Sequence, residues 1–230
     1  MQRGRKVILL DLGGVVVEAT GRTALSTLLP NLSAEQILRR WHDSKAAGDF
    51  ERGRISKEAF AGAFVREWDL QMPEAEFLEY FASWVIGFVS GASDLIQALR
   101  ARYHVACLSN TNPLHWARLP DVSAMFDSAF PSHVTGFMKP QREAYDYALR
   151  KLGVAPEDVY FFDDLASNVV AAREVGINAF RVQGFEDLIE VMRVEGLYQP
   201  QTPKPPINSD ASDVPASAGS SEARAGGRER

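Results

Sequence analysis

Four short apolar runs constrain this chain most: VILLDL (7–12), HVACLS (104–109), DVYFFDD (158–164) and NAFRV (178–182). Successive side chains of a strand point to opposite faces, so a strand with one wet face alternates apolar and polar residues. Continuous runs of this length instead suit strands of a parallel sheet covered on both faces. The segments between them have the period of helices. ASDLIQALRAR carries Leu95, Ile96 and Leu99 on one face. REAYDYALRKLG carries Ala144, Tyr147, Ala148 and Leu152 and ends at Gly153, and SNVVAAREVG ends the same way at Gly176. Strand, helix, strand, helix predicts an α/β fold built on a doubly wound parallel sheet.

Residues 20–88 break the alternation and read as helices only, an all-helical insert after the first strand. Ser33 with Gln36 predicts a capping box ahead of Ile37, Leu38 and Trp41. Ser56 predicts an N-cap with Ile55 and Phe60 as its hydrophobic staple, continued by Phe64 and Trp68. Pro73 suits a first helical position ahead of Phe77, Tyr80, Phe81 and Trp84. These aromatics read as the core of a small bundle. From Gln199 the chain turns to Pro, Ser, Ala and Gly without an aromatic residue, so 199–230 is expected to be a disordered tail. The expected organisation is 1–19 with 89–198 as the α/β core, 20–88 as the insert and 199–230 as the tail.

A net charge of −5 argues against a nucleic-acid grip, which needs a basic face. The one cysteine, Cys107, lies in an apolar run and reads as a buried small hydrophobe, with no disulfide framework. The first apolar run meets Asp11 too soon for a signal-peptide core or a membrane span, so a cytoplasmic protein with no membrane partner is expected.

In open α/β sheets ligands bind outside the carboxyl ends of the strands. There the sequence puts Asp11, then Ser109 and Asn110, then the pair Asp163 and Asp164, with Lys139 in the loop TGFMKPQ. A carboxylate can attack phosphorus and form an aspartyl-phosphate. Anion then meets anion, so positive charge must be supplied. Mg²⁺ takes hard oxygen ligands, which Asp11, Asp164 and the Gly13 carbonyl could offer. Lys139 would neutralise the remaining phosphoryl charge while Ser109 and nearby amides hold its oxygens. Gly13 and Gly14 would let the backbone pass close to metal and phosphate.

These pieces, DLGGV (11–15), SN (109–110), Lys139 in MKP and DDLASN (163–168), make the chain resemble the haloacid dehalogenase-like hydrolase superfamily over residues 5–195. The insert sits where that superfamily carries its first-position cap. The strings FERGRIS (50–56) and LSNTNPLH (108–115) look like the branch containing glucose-1-phosphate phosphatase. The resemblance implies a Mg²⁺-dependent phosphatase acting on a small phosphorylated metabolite such as a sugar phosphate. Asp11 would be nucleophile and metal ligand, Gly13 would offer its main-chain oxygen to the metal, and Ser109 and Asn110 would bind the phosphoryl group. Lys139 would pair with Asp11 and the phosphate, Asp164 would ligate the metal with Asp163 close by, and Asn168 would orient Lys139 or the acidic pair.

One position departs from the superfamily. Phosphatases there often carry a second Asp two residues after the nucleophile as general acid and base; this chain has Gly13, and such a group is worth about 10²–10⁴ in rate. His115 is a candidate substitute, because its ordinary pKa suits the task; the competing reading is a packing histidine. His42 and Glu18 are weaker candidates. Trp41, His42, Asp49, Glu51 and Arg52 are candidates for substrate selection from the cap. The alternatives are a 2-haloacid dehalogenase using Asp11 without metal, and a non-catalytic phospho-ligand-binding module. A monomer or weak homodimer is expected.

Overall fold

The computed structural model describes residues 5–119 and 122–199. Among the described residues seven strands form: β1 (Val7–Leu10), β2 (Val17–Ala19), β3 (Val85–Phe88), β4 (His104–Ser109), β5 (Ser128–Pro131), β6 (Val159–Asp163) and β7 (Asn178–Arg181). Five of them make an all-parallel sheet in the order β5-β4-β1-β6-β7, with β1 in the centre. The central strand shows why its sequence runs apolar without a break. Ile8 and Leu10 join Val105, Cys107 and Phe162 in one core, while Val7 and Leu9 join Ala106, Leu108 and Phe161 in the other. Each face of the sheet is thus dry, as a parallel sheet requires.

Helices α1 (Gly21–Leu28), α2 (Ala34–Asp43), α3 (Lys45–Glu51), α4 (Lys57–Trp68) and α5 (Glu74–Ala82) follow the first strand. After β3 come α6 (Ala92–Arg100), the one-turn helices α7 (Pro113–Trp116), α8 (Val122–Met125) and α9 (Ser132–Thr135), and then α10 (Arg142–Leu152), α11 (Ala166–Glu174) and α12 (Phe185–Val194). Helices α6 and α12 cover one face of the sheet through Leu95, Ile96, Leu99, Leu188 and Met192. Helices α10 and α11 cover the other through Ala144, Tyr145, Ala148, Val169 and Ala172.

The helices α1–α5 share a third core rich in aromatic rings. Phe50 stacks on Phe60 at 4.3 Å between centroids, and Phe64 stacks on Trp68 at 4.9 Å. Local sequence sets the helix starts. Ser33 and Gln36 form a reciprocal capping box on α2, and the Ser44 and Ser56 hydroxyls accept from the third backbone amides of α3 and α4. The described residues make one compact unit. Of the tail expected at 199–230, all but Gln199 lies outside the described residues. No helix among the described residues is long and apolar enough to cross a membrane.

Four expectations need correction. Residues 20–88 are not helical throughout: Val85–Phe88 pairs antiparallel with β2 as a two-stranded flap beside the main sheet. Strand β5 has no counterpart among the four apolar runs, because it is a four-residue edge strand ending in proline. Helix α10 buries Tyr145 and Leu149, while Tyr147 and Leu152 only flank the core. Pro73 caps α5 from outside, one residue before its first turn.

Candidate active site

The register of the sheet brings the polar residues to one edge. Leu10 pairs with Cys107 on one side and Phe162 on the other, so Asp11 and Asp163 leave their strands at one level and Ser109 one residue beyond it. The Asp11 amide donates to the Phe162 carbonyl at 2.9 Å and holds the first loop against β6. Beyond it Gly14 adopts φ +77°, and a Cβ there would lie 2.9 Å from Asp164 Oδ2, so the close approach of Asp164 requires glycine. Gly13 is different: a Cβ built there has no atom within 4 Å.

Lys139 sits between two carboxylates. Its Nζ lies 2.7 Å from Asp11 Oδ1 and 2.7 Å from Asp163 Oδ2, and its residue is only 3% exposed. Its backbone is clamped as well: the Lys139 amide donates to Asn110 Oδ1 at 2.9 Å, and Asn110 Nδ2 donates to the Lys139 carbonyl at 2.8 Å. Asp163, fully buried, also accepts from Asn168 Nδ2 at 2.9 and 3.0 Å and from the Leu165 amide at 2.9 Å. Burial alone would lower the Lys139 pKa, but Asp11 and Asp163 outweigh it and hold the ammonium above its ordinary range. Burial pushes the Asp11 carboxyl up, and Asp163 and Asp164 add to this against the pull of Lys139.

Asp11, Asp163 and Asp164 each have an oxygen within 4.8 Å of the others. Three carboxylates close to one another, with one ammonium paired to two of them, leave negative charge that a hard divalent cation would offset. Their oxygen donors fit such an ion. Of the three, Asp163 is held by Lys139, Asn168 and the Leu165 amide, and Asp11 by Lys139.

Above this edge lies a cavity of about 730 Å³ walled by the helical insert. Asp11, Gly13, Ser109, Asn110, Lys139 and Asp164 line it from the sheet side, and Trp41, His42, Asp49, Glu51 and Arg52 all line it from the insert. Sequence reasoning missed several walls, among them Ile37, Lys45, Trp84 and Gln141. Gln141 directly follows KP in the loop that carries Lys139, which was a usable signal.

The insert is docked to the sheet edge at two points. The Ser132 hydroxyl lies 2.6 Å from the Glu51 carbonyl and 2.8 Å from that of Thr111, and accepts from the Thr111 amide at 2.9 Å. Next to it Gly53 takes φ +66°, where a Cβ would come 2.2 Å from the His133 carbonyl. A Gly53→Ala variant must leave the left-handed region or push this contact apart. Its expected cost is about 2 kcal/mol, read as a melting temperature lower by roughly 4–8 °C; an unchanged melting curve would refute this docking role.

The second docking point decides between the two readings of His115. Its Nε2 donates to the Phe81 carbonyl at 2.8 Å, its Nδ1 accepts from Asn112 Nδ2 at 3.0 Å, and its ring stacks on Phe81 at 4.3 Å. Burial lowers its pKa to about 4, against a smaller opposite pull from the Phe81 carbonyl. Both ring nitrogens are engaged, so His115 is a packing histidine that ties α7 to α5. Glu18 is exposed on β2 and does not line the cavity. Asn110 also lines the cavity, with its side chain engaged by the Lys139 backbone.

A family described as haloacid dehalogenase-like hydrolase matches residues 5–176. Among curated proteins, the chain is similar to the D-ribitol-5-phosphate phosphatase of Bacteroides thetaiotaomicron, at 29% identity over 197 residues covering 79% of this chain and 94% of the relative. A phosphatase of Mycobacterium tuberculosis is 29% identical over 170 residues, 67% of this chain and 75% of its own. Among solved structures, a haloacid dehalogenase family enzyme of Bacteroides thetaiotaomicron in complex with magnesium and inorganic phosphate aligns with TM-score 0.69 at 24% identity, covering 83% and 100% of the two chains. A dehalogenase aligns with TM-score 0.60 at 18% identity, covering 84% and 98%. These structural likenesses show the fold.

Proposed function

The chain belongs to the haloacid dehalogenase-like hydrolase family, and from that premise we propose that it is a Mg²⁺-dependent phosphatase of a small phosphorylated metabolite. The observation that carries this reading is the grouping of Asp11, Asp163 and Asp164, two of them paired with Lys139, in a cavity walled by the insert. Asp11 is the nucleophile. Lys139 holds its carboxylate in place and offsets phosphoryl charge, and the Ser109 hydroxyl with the backbone around Asn110 holds the phosphoryl oxygens. Asp11, Asp164 and the Gly13 carbonyl would hold Mg²⁺, with Asp163 behind them anchoring Lys139. Bound there, the cation would offset the phosphoryl negative charge that resists attack by a carboxylate. Asn168 keeps Asp163 turned toward Lys139.

Residues 20–88 act as the cap in this reading, residues 1–19 and 89–198 as the catalytic core. The cap excludes water and chooses the substrate. A sugar phosphate or related polyol phosphate is favoured, since the similar protein of Bacteroides thetaiotaomicron is a D-ribitol-5-phosphate phosphatase. A 2-haloacid dehalogenase would use Asp11 without a cation and would have no need of Asp164. A phospho-ligand-binding module would keep the same residues without turnover.

The deciding experiment is a panel of phosphate esters, including ribitol 5-phosphate and glucose 1-phosphate, assayed with Mg²⁺ and with EDTA beside 2-haloacids without metal. Release of phosphate only with Mg²⁺ is the expected result. Halide release, or tight phosphate binding without turnover of any ester, would overturn it in favour of one of the alternatives.

A further inference from the structure

Glu51 is a buried cavity carboxyl to which the reading above gives no task of its own. It ends α3, lines the same cavity as Asp11, and is only 8% exposed. Among the described residues its carboxyl makes no hydrogen bond and no ion pair within 4 Å. A buried carboxyl without a partner is costly to keep, so a packing role does not account for it. Its backbone, in contrast, is fixed: the Glu51 carbonyl meets the same Ser132 hydroxyl that holds Thr111, two residues beyond Ser109. Gly53 then seats the chain on the His133 carbonyl. Glu51 is therefore anchored beside the loop that follows Ser109, in the wall that the insert gives to the cavity.

Gly13, which lines the same cavity from the sheet side, offers no side chain, and the space where one would project is open. We propose that Glu51 is the proton-transfer residue of the hydrolysis, supplied by the helical insert in place of the side chain that Gly13 lacks. This rests on the phosphatase reading. In the first half-reaction Asp11 bonds to phosphorus, the bond from phosphorus to the ester oxygen breaks, and Glu51 gives that oxygen its proton. In the second, water attacks phosphorus, its proton passes to the Glu51 carboxylate, and the bond to Asp11 breaks to release orthophosphate. Burial supports the assignment by raising the Glu51 carboxyl to about 7, with Arg52 as a weaker counterweight, so both protonation states are accessible near neutrality.

The test compares esters that differ in how much proton donation they need. Glu51→Gln keeps the size of the side chain but cannot transfer a proton. Its kcat/KM should fall about 10²-fold or more on an alkyl or sugar phosphate, and at least tenfold less on p-nitrophenyl phosphate, whose leaving group departs unaided. With the aryl ester the variant should also release a burst of p-nitrophenolate near one equivalent and then turn over slowly, because water activation is lost. Adding Gly13→Asp to Glu51→Gln should restore alkyl turnover about tenfold or more, since the new side chain meets open space. Equal losses on both esters, or no loss on either, would overturn the role of Glu51 while leaving the phosphatase reading intact. Absence of turnover of either ester by the wild type would overturn the phosphatase reading and this proposal with it.

Discussion

Asp11→Asn is expected to lower turnover of every ester the wild type hydrolyses by on the order of 10⁴-fold or more, the scale seen when an enzyme loses its nucleophile. An amide has the shape of the carboxylate and keeps the contact with Lys139, but it does not attack phosphorus. The same change should leave the fold intact or strengthen it. Burial raises the Asp11 carboxyl above its unfolded value, so its ionisation opposes folding. That opposition is absent below the unfolded carboxylate pKa near 4 and grows as pH rises through the folded value. The variant's melting temperature should therefore match the wild type near pH 4 and equal or exceed it at pH 8. Retention of a tenth of the activity would remove Asp11 as the nucleophile; a pH-independent loss of stability would show that its charge holds the site together.

The part of this site that could be read from sequence is the part carried by strand ends. Asp11, Ser109 and Asp163 follow continuous apolar runs, and a parallel sheet brings such ends to one edge whatever the details of packing. The five insert residues named as candidates all line the cavity, yet the sequence could not say what any of them does there. That depends on how α3 is docked, and the docking rests on Ser132 and His133, some eighty residues further along the chain. His115 stayed open between two readings for the same reason. Its residue type and its place after β4 suggest acid–base work, but the partner that engages it, the Phe81 carbonyl, belongs to a different helix. The flap strand β3 and the edge strand β5 are short and weakly patterned, and their pairing partners rather than their own residues make them strands.

The second large effect is expected at Lys139. Replacing it with Met preserves most of the volume of the side chain and removes the ammonium that lies 2.7 Å from both Asp11 and Asp163. Two buried carboxylates then lose their counter-charge, a change that typically costs about 3–5 kcal/mol. At this chain length that corresponds to a melting temperature lower by roughly 6–20 °C, with turnover lost as well. The deficit should depend on pH with a definite sign. Without the ammonium the Asp11 carboxyl is pushed further up than burial already takes it, so its neutral form is the one the fold tolerates. Below the unfolded carboxylate pKa the deficit should be small, and it should widen as pH rises toward 8. Mg²⁺ should raise the melting temperature of Lys139→Met more than that of the wild type, because a divalent cation among Asp11, Asp163 and Asp164 replaces the missing charge. Equal stabilisation of both proteins by Mg²⁺ would mean that the ammonium and the cation do not share these carboxylates, and the metal site would then have to lie elsewhere.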